Sequence, residues 1–312
     1  MSSLDDAFHW HRDALCELED RHGVEQVMDL IDVMADATIT TAYSGIDAPS
    51  TALHVLAHGL EERFADKRVL RPKHLCDIDW DKEAQGELLA LHAHDDSCLF
   101  SDIGDCFHPC VQATVQELLP KPKLAFDTLA PAVKAGRAVS LLARCIRHGK
   151  HCAHPSGKVH IAGTTCKAFS VRGLRLKAED VSIIYFLCWV GLRLRLCEPV
   201  IIQENVPGFD VELLASFLSE QYYVDSVVID AQDMGWPSRR KRRWTVCRHK
   251  QKIISELPPP QLIQQDVPQG VQHDLAGVLL RWAVQANWAV SPSRRDQRGT
   301  HVGAVAEAFV CT

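Results

Sequence analysis

Three things are scarce in this chain, and each absence excludes a class. No apolar run approaches membrane-spanning length; residues 181–196 come nearest in character but are interrupted by Arg193 and Arg195. There is no excess of positive charge: the formal net charge is -6 over 312 residues. That counts mildly against a nucleic-acid binder, although a local basic patch suffices for one. The 12 cysteines include no Cys-x-x-Cys pair of the usual zinc-site spacing. Repeats and transit-peptide patterns are also missing. No signal peptide opens the chain, so the cysteines are expected as reduced thiols in an intracellular compartment, the nucleus in a eukaryote.

What is present reads as an α/β protein. Apolar residues make up 46% and charged residues 24% of the chain, ordinary values for a globular domain. Residues 4–34 carry apolar positions at helical spacing with a break at Gly23, which predicts one or two amphipathic helices. The β-branched run 38–43 predicts a first strand, and Ser44-Gly45 turns it into a helix from about Pro49 to Phe64. A glycine at a strand end admits a ligand to the backbone, and the helix start favours polar or anionic groups. Asp79 and Trp80 follow a second strand. A carboxylate there suits two ribose hydroxyls, and an aromatic beside it suits stacking on a base. Residues 98–105 predict a short strand and a turn with Asp102 and Ile103. Residues 159–162 form a short buried strand that Gly163 ends. Cys166 therefore stands on a loop at the strand-end edge, where open α/β sheets bind ligands. A helix is predicted over 181–196, a strand over 199–203 ending at Glu204-Asn205-Val206, a helix over 211–218 and a strand over 222–229. The most basic stretch, residues 239–243, leads into a strand over 244–247.

Residues 106–154 are rich in Cys and His. Helices are predicted near 109–119 and 139–148, with a loop around Pro120–Pro122. A zinc site from Cys106, Cys110, Cys145 and Cys152 is one reading. Helix-face thiols and surface histidines are the reading adopted, and no metal site is assigned. From residue 255 the chain turns Pro- and Gln-rich, as a linker does.

Taken in order, these stretches resemble the motifs of the C5-cytosine DNA methyltransferases. Gly163-Thr164-Thr165-Cys166-Lys167-Ala168-Phe169-Ser170 is similar to the catalytic loop G-P-P-C-Q-x-F-S. Tyr43-Ser44-Gly45 is similar to the start of the cofactor loop F-x-G-x-G-G, with Asp47-Ala48 in place of the last two glycines. Asp81-Lys82-Glu83-Ala84-Gln85 matches D-K-x-A-Q, and Glu204-Asn205-Val206 matches E-N-V. Asp233, Gly235, Pro237, Arg240 and Arg242 fit D-x-G-x-P-Q-x-R-x-R, with Ser238 replacing the glutamine. The resemblance covers roughly residues 38–247 and stops before the family's target-recognition domain and last motif.

The resemblance implies an S-adenosyl-L-methionine (SAM)-dependent Rossmann-like sheet with helices on both faces. It implies a methyltransferase-like domain over 37–254 with an insertion at about 106–155, after a helical segment 1–36 and before a linker and short segment 255–312. Its implied cofactor residues are Tyr43, Ser44, Gly45, Asp79, Trp80, Asp102 and Ile103. Its implied catalytic residues are Cys166, Glu204, Arg240 and Arg242. The implied reaction is methyl transfer to C5 of a flipped cytosine, in DNA before RNA, with a partner protein supplying target recognition and no membrane association. A catalytically impaired methyltransferase-fold binding protein and an RNA cytosine methyltransferase stand as alternatives.

Overall fold

The computed structural model describes residues 10–167, 179–234 and 239–252. Two helices, α1 (Trp10–His22) and α2 (Val24–Asp36), meet at Gly23, whose φ of 87° breaks the helix as the sequence predicts. Strand β1 (Thr38–Ala42) leads to α3 (Ala48–Arg63), β2 (Lys73–Ile78) to α4 (Lys82–Leu91), and then comes β3 (Cys98–Phe100). The stretch expected as an insertion holds α5 (Pro109–Leu118), α6 (Pro122–Lys134) and a hairpin of β4 (Leu142–Arg144) and β5 (His151–Ala153). The chain then forms β6 (Val159–Gly163), α7 (Ser182–Leu196), β7 (Val200–Asn205), α8 (Val211–Leu218), β8 (Tyr222–Asp230) and β9 (Lys241–His249).

Seven strands make one sheet in the order β3-β2-β1-β6-β7-β9-β8. Its strands pair in parallel from β3 to β7, and β9 runs antiparallel to both β7 and β8. Neighbouring residues of one strand feed opposite faces. Ile161 joins the core under α1, α2 and α3, while Ala162 joins the core under α5, α6, α7 and α8; Ile202 and Ile201 divide in the same way. Both faces are thus covered, which is why β7 is buried along its whole length and opens with the apolar Val200-Ile201-Ile202. Helix α7 is buried nearly all round, with Trp189 wholly enclosed. Its indole N–H donates to His160 Nε2 at 3.0 Å, so the His160 Nδ1–H faces Thr40 Oγ1 at 2.8 Å. Burial holds His160 neutral.

One predicted helix is overturned. Residues 139–148 form an extended segment and the β4 strand and turn instead, with Val139 bridging to Phe107 and Cys145 to Phe100. The helix of this region lies earlier, in α6, directly after the predicted Pro120–Pro122 loop. Pro122 stands in its first turn, and Ala125, Leu129 and Val133 recur at four-residue spacing on its buried face. The expectations for residues 255–312 lie outside the described residues. Among the described residues no helix is long and apolar enough to cross a membrane.

Candidate active site

The turn after β1 is sharply coiled: Tyr43, Gly45 and Asp47 all have φ between 51° and 55°. Only one of the three is glycine, and the left-handed region costs a non-glycine residue about 1 kcal/mol. Side-chain bonds hold the turn there. The Ser44 hydroxyl lies 2.5 Å from Thr41 Oγ1, and the Gly45 N–H donates to Asp79 Oδ2 at 2.7 Å. Asp47 accepts from the Ser50 N–H and caps α3. It stands where the resembled loop has glycine. The helix start that the sequence reading offered to a ligand is therefore capped by the chain's own carboxylate.

The turn after β2 is braced by the Asp-Lys-x-Ala-Gln motif. Asp81 accepts from the N–H groups of Glu83 and Ala84 and caps α4. Lys82 Nζ donates to Gln85 Oε1 at 3.0 Å, and Gln85 Nε2 donates to the Asp79 carbonyl at 2.7 Å. Asp79 is thus gripped through its carbonyl and through both carboxylate oxygens, the second of which accepts from the Asp81 N–H at 2.9 Å. Burial pushes its pKa up, against the bonds from Gly45 and Asp81. Trp80 is 63% exposed. After β3, Asp102 accepts from the Gly104 N–H at 2.7 Å, which makes the predicted turn an Asx turn.

The Cys166 loop leaves β6 and is pinned to β7. Gln203 Nε2 and Asn205 Nδ2 donate to Thr164 Oγ1 at 2.5 and 2.9 Å, and Asn205 Nδ2 also donates to the Thr164 carbonyl at 3.0 Å. Threonine therefore does by hydrogen bonding what the prolines of the resembled loop do by ring stiffness.

A cavity of about 500 Å³ gathers these turns. Its wall contains Tyr43, Asp79, Trp80, Asp102 and Ile103, and also Thr164, Cys166 and Lys167. Ser44 and Gly45 are buried and do not line it; Gly45 holds Asp79 through its N–H, and Ser44 Oγ accepts from the Ile78 N–H at 3.2 Å. The sequence reading missed Asp180, Ser182 and Tyr185, which the start of α7 brings to the wall from beyond the described part of the loop. Phe169 and Ser170 of the catalytic-loop motif, and Gly235, Pro237 and Ser238 of the basic motif, lie outside the described residues. Cys166 is buried at this wall, at the end of the described part of its loop.

Glu204 lies one strand over, on β7, and the arginines two strands over, at the start of β9. Glu204 pairs in register with Gly163 on one side and Trp244 on the other, and it is outside the cavity wall. Its carboxylate meets Arg242 Nε at 2.6 Å. Burial pushes Glu204 up in pKa, while Arg242 and Arg240 oppose that. Arg240 is tied by its backbone N–H to Asp230 Oδ1 at 2.8 Å.

The doubly wound sheet with its reversed β9 is a Rossmann-like α/β fold. Within that class the motif order resembles the C5-cytosine methyltransferases, and sequence comparison points the same way. The chain is 30% identical over 98 residues to the type II methyltransferase M.MspI of Moraxella sp., a match covering 29% of this chain and 23% of that enzyme. No family model matches the chain. Among solved structures, the Dnmt2 methyltransferase of S. pombe superposes with a TM-score of 0.42 and 17% identity, over 73% of this chain and 55% of that one. The Entamoeba histolytica methyltransferase EhMeth gives 0.40 and 12%, over 68% and 53%. The chain therefore spans about half the length of these structures and less of M.MspI.

Proposed function

We propose that the chain transfers a methyl group to C5 of cytosine in a nucleic acid, through a covalent Cys166 adduct. The single observation behind this reading is the shared wall: the Cys166 loop and the Asp79, Trp80, Asp102 and Ile103 set border one cavity. The cavity's volume falls in the range of about 300–1,000 Å³ usual for small-ligand sites. Two carboxylates and an exposed indole suit the ribose, the amine and the ring of an adenosine. SAM would be held by Asp79, Trp80, Asp102 and Ile103 and, when bound, supplies the methyl group.

Reduced Cys166 adds as thiolate to C6 of the cytosine, and the addition makes C5 an enamine carbon able to accept a methyl group. Glu204, pushed toward its protonated form by burial, holds N3 and the exocyclic amine. Arg242, with Arg240, holds the O2 carbonyl. After the C5 proton leaves, the sulfur–C6 bond breaks and Cys166 is released. Because C6 is hidden in a duplex, the base is flipped out or single-stranded.

An oligonucleotide carrying 5-fluorocytosine, incubated with SAM and the reduced protein, tests this. A covalent adduct on a denaturing gel is expected, and it should vanish in Cys166→Ala. An adduct that persists in that variant assigns the nucleophile elsewhere. Parallel DNA and RNA oligonucleotides separate the two substrates.

A second reading is a binding protein on the same fold. It is favoured by Asp47, which caps α3 where the resembled loop has glycine, and by the Glu204–Arg242 ion pair that closes on itself. Under that reading SAM binds in calorimetry while neither oligonucleotide gives an adduct.

A further inference from the structure

The Cys- and His-rich insertion resolves into a cluster that differs from the four thiols weighed in the sequence. Cys110 is exposed on α5 and turned to His108, and Cys106 is buried against His154 at 3.2 Å. The residues brought together are Cys98, Cys145, His148 and Cys152, whose ligand atoms all lie within 4.8 Å of one another. They come from three places: the first residue of β3, the turn of the hairpin, and the middle of β5.

We propose that these four side chains bind one structural zinc ion. His148 Nδ1 lies 3.6 Å from Cys98 Sγ, 3.3 Å from Cys145 Sγ and 3.4 Å from Cys152 Sγ. A tetrahedral zinc with sulfur at about 2.3 Å and nitrogen at about 2.0–2.1 Å sets sulfur and nitrogen roughly 3.5 Å apart. Hydrogen bonding does not account for the arrangement. One ring nitrogen has one site and serves one thiol, yet three sulfurs crowd it. None of the three is in a disulfide. The other ring nitrogen, Nε2, faces Asp96 Oδ1 at 3.1 Å. That carboxylate fixes the tautomer with the proton on Nε2 and leaves the Nδ1 lone pair for a metal, the usual outer partner of a ligating histidine.

Four protein ligands leave no open position, which marks a structural rather than a catalytic ion. The site also answers a stability problem. A two-stranded hairpin of three-residue strands does not hold itself in water. An ion bound by Cys145, His148 and Cys152 on the hairpin and by Cys98 on the sheet staples the insertion to β3. Strand β3 leads directly to Asp102 and Ile103 on the cavity wall. The proposal does not depend on any catalytic activity of that cavity.

Metal analysis of the full chain, purified reduced and without chelator, tests the site. One zinc ion per chain is expected, retained in Cys110→Ser and lost in the Cys145→Ser/Cys152→Ser double variant. His148→Cys, which supplies a fourth thiolate, keeps the zinc, whereas His148→Ala weakens its retention at least tenfold. Cobalt(II) titration of the wild-type chain gives a readout independent of variant folding. The visible bands of a tetrahedral thiolate site should appear at one equivalent and vanish when zinc is added. Three results would overturn the proposal: a folded wild-type chain that takes up no zinc or cobalt, iron in its place, or full retention in the double variant.

Discussion

Among the described residues, two groups that could each hold an ion combine histidine with carboxylates or thiols, and they satisfy their polar atoms in opposite ways. In the first, behind the β1 turn, each ring nitrogen has its own oxygen. His74 meets Asp77 and Ser50, and His92 meets Asp47 and Asp95, all at 2.9 Å. The two rings stack at 4.1 Å, and the carboxylates around them offset the repulsion of two imidazolium charges. In the second, three sulfurs converge on one nitrogen, and a centre is needed between them. Both sets lie close enough to hold an ion. Counting donors and acceptors, more than proximity, separates a closed hydrogen-bond network from a metal site.

The largest effect that would break this contrast is chelation. Removing zinc from a site to which folding is coupled should lower the melting temperature by on the order of 10 °C. Calorimetry with and without chelator measures it, and the double Cys variant should show no further drop. If chelator leaves the wild-type transition unmoved, the two clusters are alike after all.

Next comes Asp47→Ala, which removes one carboxylate from buried imidazoles. Breaking a buried ion pair costs about 3–5 kcal/mol, readable as a shifted urea midpoint at unchanged zinc content. A wild-type-like midpoint would mean the first cluster contributes nothing to stability.

A third effect is the pH dependence of that cluster. Burial disfavours charge on His74, yet Asp77 and Asp47 outweigh it and raise its pKa to about 9, from an ordinary 6.5. The folded-state pKa is the higher one, so the stabilisation is fully present below pH 6.5 and is lost as pH rises through about 9. It amounts to at most about 3 kcal/mol. His92 is raised as well, and Asp47 is held low by His74 and His92 against burial, so its share is lost on strong acidification. Urea titrations at pH 6 and pH 9.5 should differ accordingly, and His74→Asn should flatten the difference.

The smallest effect is Asp96→Ala. This carboxylate is fully exposed but faces His148 Nε2, so zinc affinity should fall by about tenfold with the fold unchanged. Competition with a chromophoric chelator measures the change.

Much of the fold was legible because the sheet strands announce themselves. Residues 38–42, 159–163 and 200–205 are short β-branched or apolar runs ended by turn formers, and α8 agrees residue for residue with the predicted 211–218. The insertion was misread because 139–148 carries Leu141, Leu142, Ala143 and Ile146 at spacings a helix also shows. Its actual shape depends on pairing with Phe107 and Phe100 from distant parts of the chain. Cys98 could not be joined to the other three ligands from spacing, since it lies 47 positions before Cys145. The run Cys145-x-x-His148-x-x-x-Cys152 was the available signal; its two thiols were among the four weighed as a zinc site, while His148 was read as a surface histidine.

The sequence by itself determined the order of the strands along the chain, the turns that end them and the chemical types placed at those ends: Gly45, Asp79, Asp102, Cys166 and Glu204. Local propensity and periodicity suffice for that, because each depends on residues a few positions apart. Only the tertiary structure decided which of these share a wall. It set Cys166 on one wall with Asp79 and Trp80, left Glu204 one strand away with Arg242, and turned Gly45 into a support for Asp79. It also closed four ligands from β3 and the insertion around one point. Such neighbours arise from strand order and register, which bring together residues that no local pattern connects.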